Sequence, residues 1–196
     1  RYVYDAEGHL RFTVSAEGRV NEFRYNAAGQ QVASIVYTDK VYDISGLAPE
    51  TALTLTNLLG DGITPSWLST LDLSQSQRTD YTYDFRGQLE TSTQYATVDS
   101  LGNGIADGSQ SITRFIYDQR GQLLQTVQPK GEATPLLTDD YITRYTYDGL
   151  GRLLSTTNAL GVSTVSTYYD ANNRILTTLA NGLQTALVYD ARGQLI

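Results

Sequence analysis

One phrase recurs seven times along this chain and leaves little freedom about the fold. Written Tyr-Asp-x-x-Gly-x-Leu, it begins at Tyr4, Tyr25, Tyr83, Tyr117, Tyr147, Tyr169 and Tyr189. Successive tyrosines stand 21, 58, 34, 30, 22 and 20 residues apart. Three of these intervals are nearly equal and define the unit; the longer ones carry insertions. A fixed period of this kind marks a repeat architecture, in which each unit is one supersecondary element that packs on its neighbours. A partial copy, YDISG from Tyr42, lies inside the first long interval.

The phrase reads as a turn. Asp is favoured at the first position of a type I turn, and Gly at the fourth, where the backbone becomes left-handed. That combination is a common longer β-hairpin connection. The candidate turn residues are Tyr4, Asp5 and Gly8; Tyr25, Asn26 and Gly29; Tyr83, Asp84 and Gly87; Tyr117, Asp118 and Gly121; Tyr147, Asp148 and Gly151; Tyr169, Asp170 and Asn173; and Tyr189, Asp190 and Gly193. Where Asp is replaced, Asn26 keeps the same side-chain acceptor. Where Gly is replaced, Asn173 is among the few residues that tolerate positive φ. A catalytic carboxylate would not tolerate the first exchange, so the motif reads as structural.

Upstream of each motif the residues alternate with period two. Tyr141, Thr143, Tyr145 and Tyr147 share one face, Ile142, Arg144 and Thr146 the other; residues 111–117 repeat the pattern. These are strands with one better-buried face. The position two before each motif tyrosine (Tyr2, Phe23, Tyr81, Phe115, Tyr145, Thr167, Leu187) predicts an aromatic ladder across stacked units. A second glycine turn falls between motifs, at 16–20, 159–162 and 180–183. Each unit is then strand, Gly turn, strand, Tyr-Asp turn, and seven such hairpins predict about 14 strands. The expected fold is all-β: tandem hairpins in a twisted antiparallel sheet strip, with insertions projecting from the strand connections.

The organisation predicted is repeats over 1–36, a partly helical insertion over 37–77, and repeats again over 78–196 with loop insertions near 97–110 and 128–140. In the first insertion Pro49 and Pro65 suit first helical positions and Thr64 suits a cap. Ala52, Leu55 and Leu59 have helical spacing, Gly60 suits the helix end, and residues 66–71 predict a short helical turn. The other two insertions are rich in Gly, Asp and Pro and read as loops.

Composition narrows the chemistry. There is no Cys and a single His among 196 residues, so disulfide frameworks, thiolate nucleophiles and multi-histidine metal sites are excluded. A net charge of −7, with the arginines scattered, argues against a nucleic-acid partner. No run of 18 apolar residues predicts a membrane span. The absence of an initiating Met and of a signal pattern suggests a piece of something larger, and the lack of Cys suits a secreted or cell-surface bacterial protein.

Four groups of residues invite a chemical reading. Asp99, Asn103 and Asp107 resemble a loose calcium loop, but they stand four apart where such loops alternate, so a plain turn is expected. The motif aspartates Asp5, Asp84, Asp118, Asp148, Asp170 and Asp190 could pair as acid and base for glycoside hydrolysis. Their identical place in every repeat favours the turn. His9 occupies a slot held elsewhere by Gln or Arg and reads as a solvated surface side chain. The ladder aromatics could stack on sugars, but burial in the sheet is the expectation. No catalytic residue, cofactor or metal is therefore assigned.

The phrases YDGLGRLLSTTNALG and YDARGQLI, with the other five copies, resemble the YD, or RHS, repeat family over roughly two thirds of the chain. That family includes bacterial Rhs polymorphic toxins, insecticidal toxin-complex components and the animal teneurins. The resemblance implies a long β-strip that spirals into a hollow shell, enclosing in the toxins a C-terminal effector. It implies structural roles for Tyr, Asp and Gly, and no counterpart of the family's aspartate-dependent self-cleavage segment is present. The function expected is a non-catalytic shell segment of a large exported toxin-like protein. Its partners would be adjacent repeats of the same chain and an enclosed cargo or effector. The alternative is a surface adhesion module that binds glycan or protein through its insertions.

Overall fold

The structure is a computed structural model that describes residues 1–48, 50–63, 65–129 and 141–196. Pro49, Thr64 and most of the 128–140 insertion lie outside the described residues, as does the capping role expected of Thr64. Two compact units divide the chain, residues 1–112 and 113–196.

The first unit holds β1 (Tyr2–Tyr4), β2 (Leu10–Val14), β3 (Val20–Tyr25), β4 (Gln31–Tyr37), β5 (Gln77–Tyr83) and β6 (Leu89–Gln94). Each pairs antiparallel with its neighbour in chain order, so every pair is a hairpin or, for β4 and β5, a hairpin interrupted by the long insertion. The second unit holds most of β7 (Ser111–Tyr117), then β8 (Leu123–Gln128), β9 (Tyr141–Tyr147), β10 (Leu153–Thr157), β11 (Ser163–Tyr169), β12 (Arg174–Thr178) and β13 (Gln184–Val188). Its strands follow chain order in the same way. Thirteen strands thus stand among the described residues where about fourteen were expected; the last motif closes only as a single bridge between Tyr189 and Leu195.

The 37–77 insertion does not project from the sheet. It folds back and covers one face of the first unit. Leu53 and Leu58 join Val3, Phe12, Val14, Val20, Ile35 and Tyr37 in a buried core, and Tyr42, Trp67, Leu68 and Leu71 pack against it. Fully burying side chains such as Phe12 and Leu58 contributes about 1.5–3 kcal/mol each. Among the described residues of this segment the one α-helix is α1 (Leu55–Leu59), which starts later than the proline signals imply. Asn57 Oδ1 accepts the Thr54 N–H at 2.8 Å, and Gly60 ends the helix at φ 74°. Residues 66–71 supply the expected turn as a 3-10 segment, Leu68–Thr70. The partial motif at Tyr42 forms no strand: the Tyr42 N–H donates to Gly18 O at 2.8 Å, and its ring meets Trp67 edge-on.

The covered face is the one opposite the motif tyrosines. Val20 and Glu22 of β3 are buried on that face, while Tyr2 and Tyr4 stay 67% and 56% exposed. The ladder position of β1, Tyr2, is therefore not buried as expected, because the apolar cover lies on the other side. Glu22 is the one buried charged residue among those described. Arg24 donates to it through Nε at 2.9 Å and Nη2 at 3.1 Å, Arg11 Nη2 lies 3.3 Å away, and the Tyr37 hydroxyl donates as well. Burial and the Glu22 carboxylate both push the Tyr37 phenol well above its ordinary range.

Candidate functional site

The repeated element with the most conspicuous chemistry is the Tyr-Asp turn. In the third copy, the Asp84 N–H donates to Gln88 O at 2.8 Å and the Gly87 N–H to Asp84 O at 2.9 Å. The carboxylate finishes the turn: Asp84 Oδ1 accepts the N–H groups of Arg86 and Gln88, both at 2.9 Å. Asn26 does the same with Ala28 and Gln30 at 3.0 Å each, as do Asp118, Asp148 and Asp190 in their own turns. In the first copy Asp5 Oδ1 accepts the His9 N–H at 2.8 Å. The backbone N–H four residues on is the first cause that holds the Asp84 and Asp148 carboxyls below the usual range, since it bonds the charged form.

Asp99, singled out as a calcium candidate, builds this same turn without a tyrosine before it. Its Oδ1 accepts Leu101 N–H at 2.9 Å and Asn103 N–H at 2.8 Å, and Asn103 Nδ2 faces its other oxygen at 3.3 Å. Asp107 is engaged by Ser109. The intervening glycine turns share the geometry, with Ser15 Oγ and Asn158 Oδ1 in the role of the carboxylate. One turn design thus serves both ends of the hairpins.

The motif tyrosines join one repeat to the next. Tyr25 Oη donates to Leu10 O at 3.0 Å, Tyr83 Oη to Gln31 O at 2.7 Å, and Tyr147 Oη to Leu123 O at 2.9 Å. Leu10, Gln31 and Leu123 all occupy the seventh place of the preceding motif. The clamp is the same although Tyr83 reaches across a 52-residue separation, insertion included. A partly buried hydroxyl–carbonyl bond of this kind contributes about 0.5–1.5 kcal/mol.

The sixth copy departs from the pattern. There Tyr168, not Tyr169, donates to the seventh-place carbonyl, Leu153 O, at 3.0 Å. The cause is a missing bulge. The hairpins at Tyr4, Tyr25, Tyr83 and Tyr117 shift register at the motif tyrosine, whereas β11 and β12 pair straight through to Tyr169 opposite Arg174. Losing one bulge residue exchanges the two faces of the strand, so the preceding tyrosine takes the clamp. The turn here is a 3-10 segment, Asp170–Asn172, closed by left-handed Asn173 at φ 47°.

A second link runs through the sixth place of the motif. The His9 ring stacks on Tyr25 at 4.7 Å and its Nδ1 lies 3.3 Å from Asp5 Oδ2, so His9 is half-buried rather than the solvated side chain expected. Gln30 Nε2 donates to Gly87 O at 3.2 Å. Arg152 binds Asp148 at 2.7 Å and also Asp170, and lies 4.1 Å above the Tyr168 ring. Gly87 and Gly151 combine φ of 81° and 85° with a neighbour's amide 3.1 and 3.0 Å from where a Cβ would stand. Both the conformation and the approach of the adjoining repeat call for glycine there. Chemical variety among His, Gln and Arg hides this slot in the sequence; its constant spacing was the available signal.

Asp5, Glu7 and His9 are the one acidic–histidine group among the described residues whose ligand atoms lie within 4.8 Å of one another. Its Asp5 oxygens already serve the turn. Among the described residues no helix is long and apolar enough to cross a membrane.

The fold and the linked turns define a class: an all-β protein of tandem hairpins, in which Tyr25, Tyr83, Tyr147 and Tyr168 each fasten a repeat to its predecessor. No protein-family model matches the chain, and no curated protein does. Solved structures do. A crystal structure of TcdB2-TccC3-TEV is 20% identical with a TM-score of 0.48, covering 100% of this chain and 11% of that one. A crystal structure of TcdB2-TccC3 is 20% identical at a TM-score of 0.45, again covering 100% and 11%. The Photorhabdus luminescens Tc holotoxin pore is 17% identical at 0.30, covering 98% and 12%. The chain thus spans about a ninth of the length of the solved chains it resembles.

Proposed function

We propose that this chain is a non-catalytic structural segment of a large exported bacterial toxin-like protein, a stretch of β-shell wall around a cargo or effector domain. The observation that carries the reading is the tyrosine clamp. It recurs with the same donor and the same seventh-place acceptor whether the repeats are 21 or 58 residues apart. A contact maintained at separations from 15 to 52 residues serves continuity of a wall. Of the carboxylates that could have served as acid and base, Asp5, Asp84, Asp118, Asp148 and Asp190 are occupied by turn amides and Asp170 by Arg152, which supports a structural role for them. The sequence resemblance to YD repeats supplies the enclosing function, with secretion and the effector as parts of the same proposal.

Limited proteolysis of the intact natural chain tests it. The segment downstream of the repeats should resist cleavage until the shell is opened by denaturant. Ready cleavage of that segment in the native protein would overturn the enclosing role. Glycan binding that is lost on deleting 97–110 would favour the adhesion module instead.

A further inference from the structure

We infer that Asn181 is a site of intrachain modification, where the side-chain amide converts through a cyclic imide to aspartate and isoaspartate. The reaction needs a nucleophilic backbone nitrogen that can approach the side-chain carbonyl, and stabilisation of the charge that develops on its oxygen. The β12–β13 turn supplies the second in its folded form, and the first once the bond from the Gly182 N–H to Leu179 O, 2.9 Å in the closed turn, opens. Asn181 Oδ1 accepts the Leu183 N–H at 3.0 Å, a donor aimed at the oxygen that turns anionic in the addition step. The nitrogen that attacks belongs to Gly182, which has no side chain to obstruct it, and nothing lies within 4 Å of where its Cβ would be. Both residues are exposed to the water that completes the reaction.

The step balances with water alone. Once its N–H leaves Leu179 O, Gly182 N forms a bond to Asn181 Cγ and gives up its proton to solvent. The Cγ–Nδ2 bond breaks and ammonia leaves. Water then opens the imide at either carbonyl, restoring the chain through the α-carboxyl or rerouting it through the side chain.

The other asparagines of the chain each lack one requirement. Asn26 and Asn158 have amide donors on Oδ1, but Ala27 and Ala159 follow them and carry a Cβ beside the attacking nitrogen. Asn103 precedes a glycine, yet its own amide is directed at Asp99, and Gly104 packs against the Tyr95 ring. Asn21, Asn57, Asn172 and Asn173 precede Glu, Leu, Asn and Arg. Only Asn181 combines an activated carbonyl with an unhindered neighbour. The product adds a negative charge, and its isoaspartate form inserts a main-chain atom into a turn that sets the pairing of Thr178 with Gln184. The last hairpin therefore loosens as the protein ages.

Incubation of the folded chain in mildly alkaline buffer, followed by tryptic mapping, reads the site directly. The peptide Ile175–Arg192 should gain the mass of amide-to-acid exchange and accept a methyl group from an isoaspartate methyltransferase. Isoelectric focusing should show one acidic satellite, which N181Q lacks and G182A forms more slowly. Conversion at Asn103 or Asn158 ahead of Asn181, or a satellite that persists in N181Q, would overturn the assignment. So would an unchanged Asn181 after a time in which a synthetic peptide of residues 175–192 converts completely.

Discussion

Replacing motif tyrosines by phenylalanine separates what the hydroxyl does from what the ring does. In the sixth repeat the structure and the repeat alignment disagree, which makes the experiment decisive. Tyr168 Oη donates to Leu153 O at 3.0 Å, while Tyr169 is 40% exposed and makes no hydroxyl bond of that kind, its ring instead facing Arg174 at 5.0 Å. Tyr168→Phe keeps the ring under Arg152 and removes one donor from a backbone carbonyl, a loss of about 0.5–1.5 kcal/mol. For a chain of this size that lowers Tm by about 1–6 °C, taking ~2–4 °C per kcal/mol. Tyr25→Phe, Tyr83→Phe and Tyr147→Phe remove the same contact and should cost similar amounts. Tyr169→Phe should be neutral within error. Urea titrations followed by circular dichroism give each ΔΔG, with Trp67 fluorescence reporting the first unit separately, since that ring packs on Tyr37 and Tyr42. The reasoning fails if Tyr169→Phe costs as much as Tyr168→Phe, because the clamp would then follow the motif letter and not the strand register. Tyr25→Phe and Tyr83→Phe act on separate carbonyls, so their costs should add.

Three other outcomes are expected. Leu58→Ala opens a cavity in the covered face and should cost about 2–5 kcal/mol, with a red-shifted Trp67 emission as the insertion loosens. Gly151→Ala forces a Cβ into left-handed backbone and should cost about 1–2 kcal/mol, seen as a lowered urea midpoint, whereas Gly151→Asn should recover part of it as Asn173 does naturally. The depressed carboxyls of Asp84, Asp99 and Asp148 contribute stability that is present above the unfolded-state value and lost as pH falls through the lower folded one. Thermal midpoints should therefore drop as pH falls below about 4, and the combined change of these three to Asn should flatten that limb of the profile.

The hairpin repeat was legible because it rests on local chemistry. A carboxylate or its Asn substitute takes the turn amides, and Gly or Asn173 supplies positive φ, each read within six residues of chain. Period-two alternation likewise marked the strands. What escaped was non-local. Tyr25 donates to Leu10 and Gln30 to Gly87 across the sheet, and the sequence reveals neither partner because pairing register sets them. The exchange of Tyr169 for Tyr168 depends on a bulge that is absent, which no residue type announces. The buried face of the first unit was also hidden, since Leu53, Leu58 and Trp67 come from an irregular segment whose return onto the sheet has no periodic signature. At Asp99, where Val98 stands in place of the tyrosine, the four-residue spacing already favoured a plain turn over a cation loop, and the turn is the same as the others.

Electron microscopy of the complete natural chain tests the central claim most directly. The account predicts a hollow β-shell whose wall contains residues 1–196, with the hydroxyls of Tyr25, Tyr83, Tyr147 and Tyr168 on the seventh-place carbonyls of the preceding repeats. Density showing these repeats as an open stalk with no enclosed volume, or with those hydroxyls turned to solvent, would contradict it.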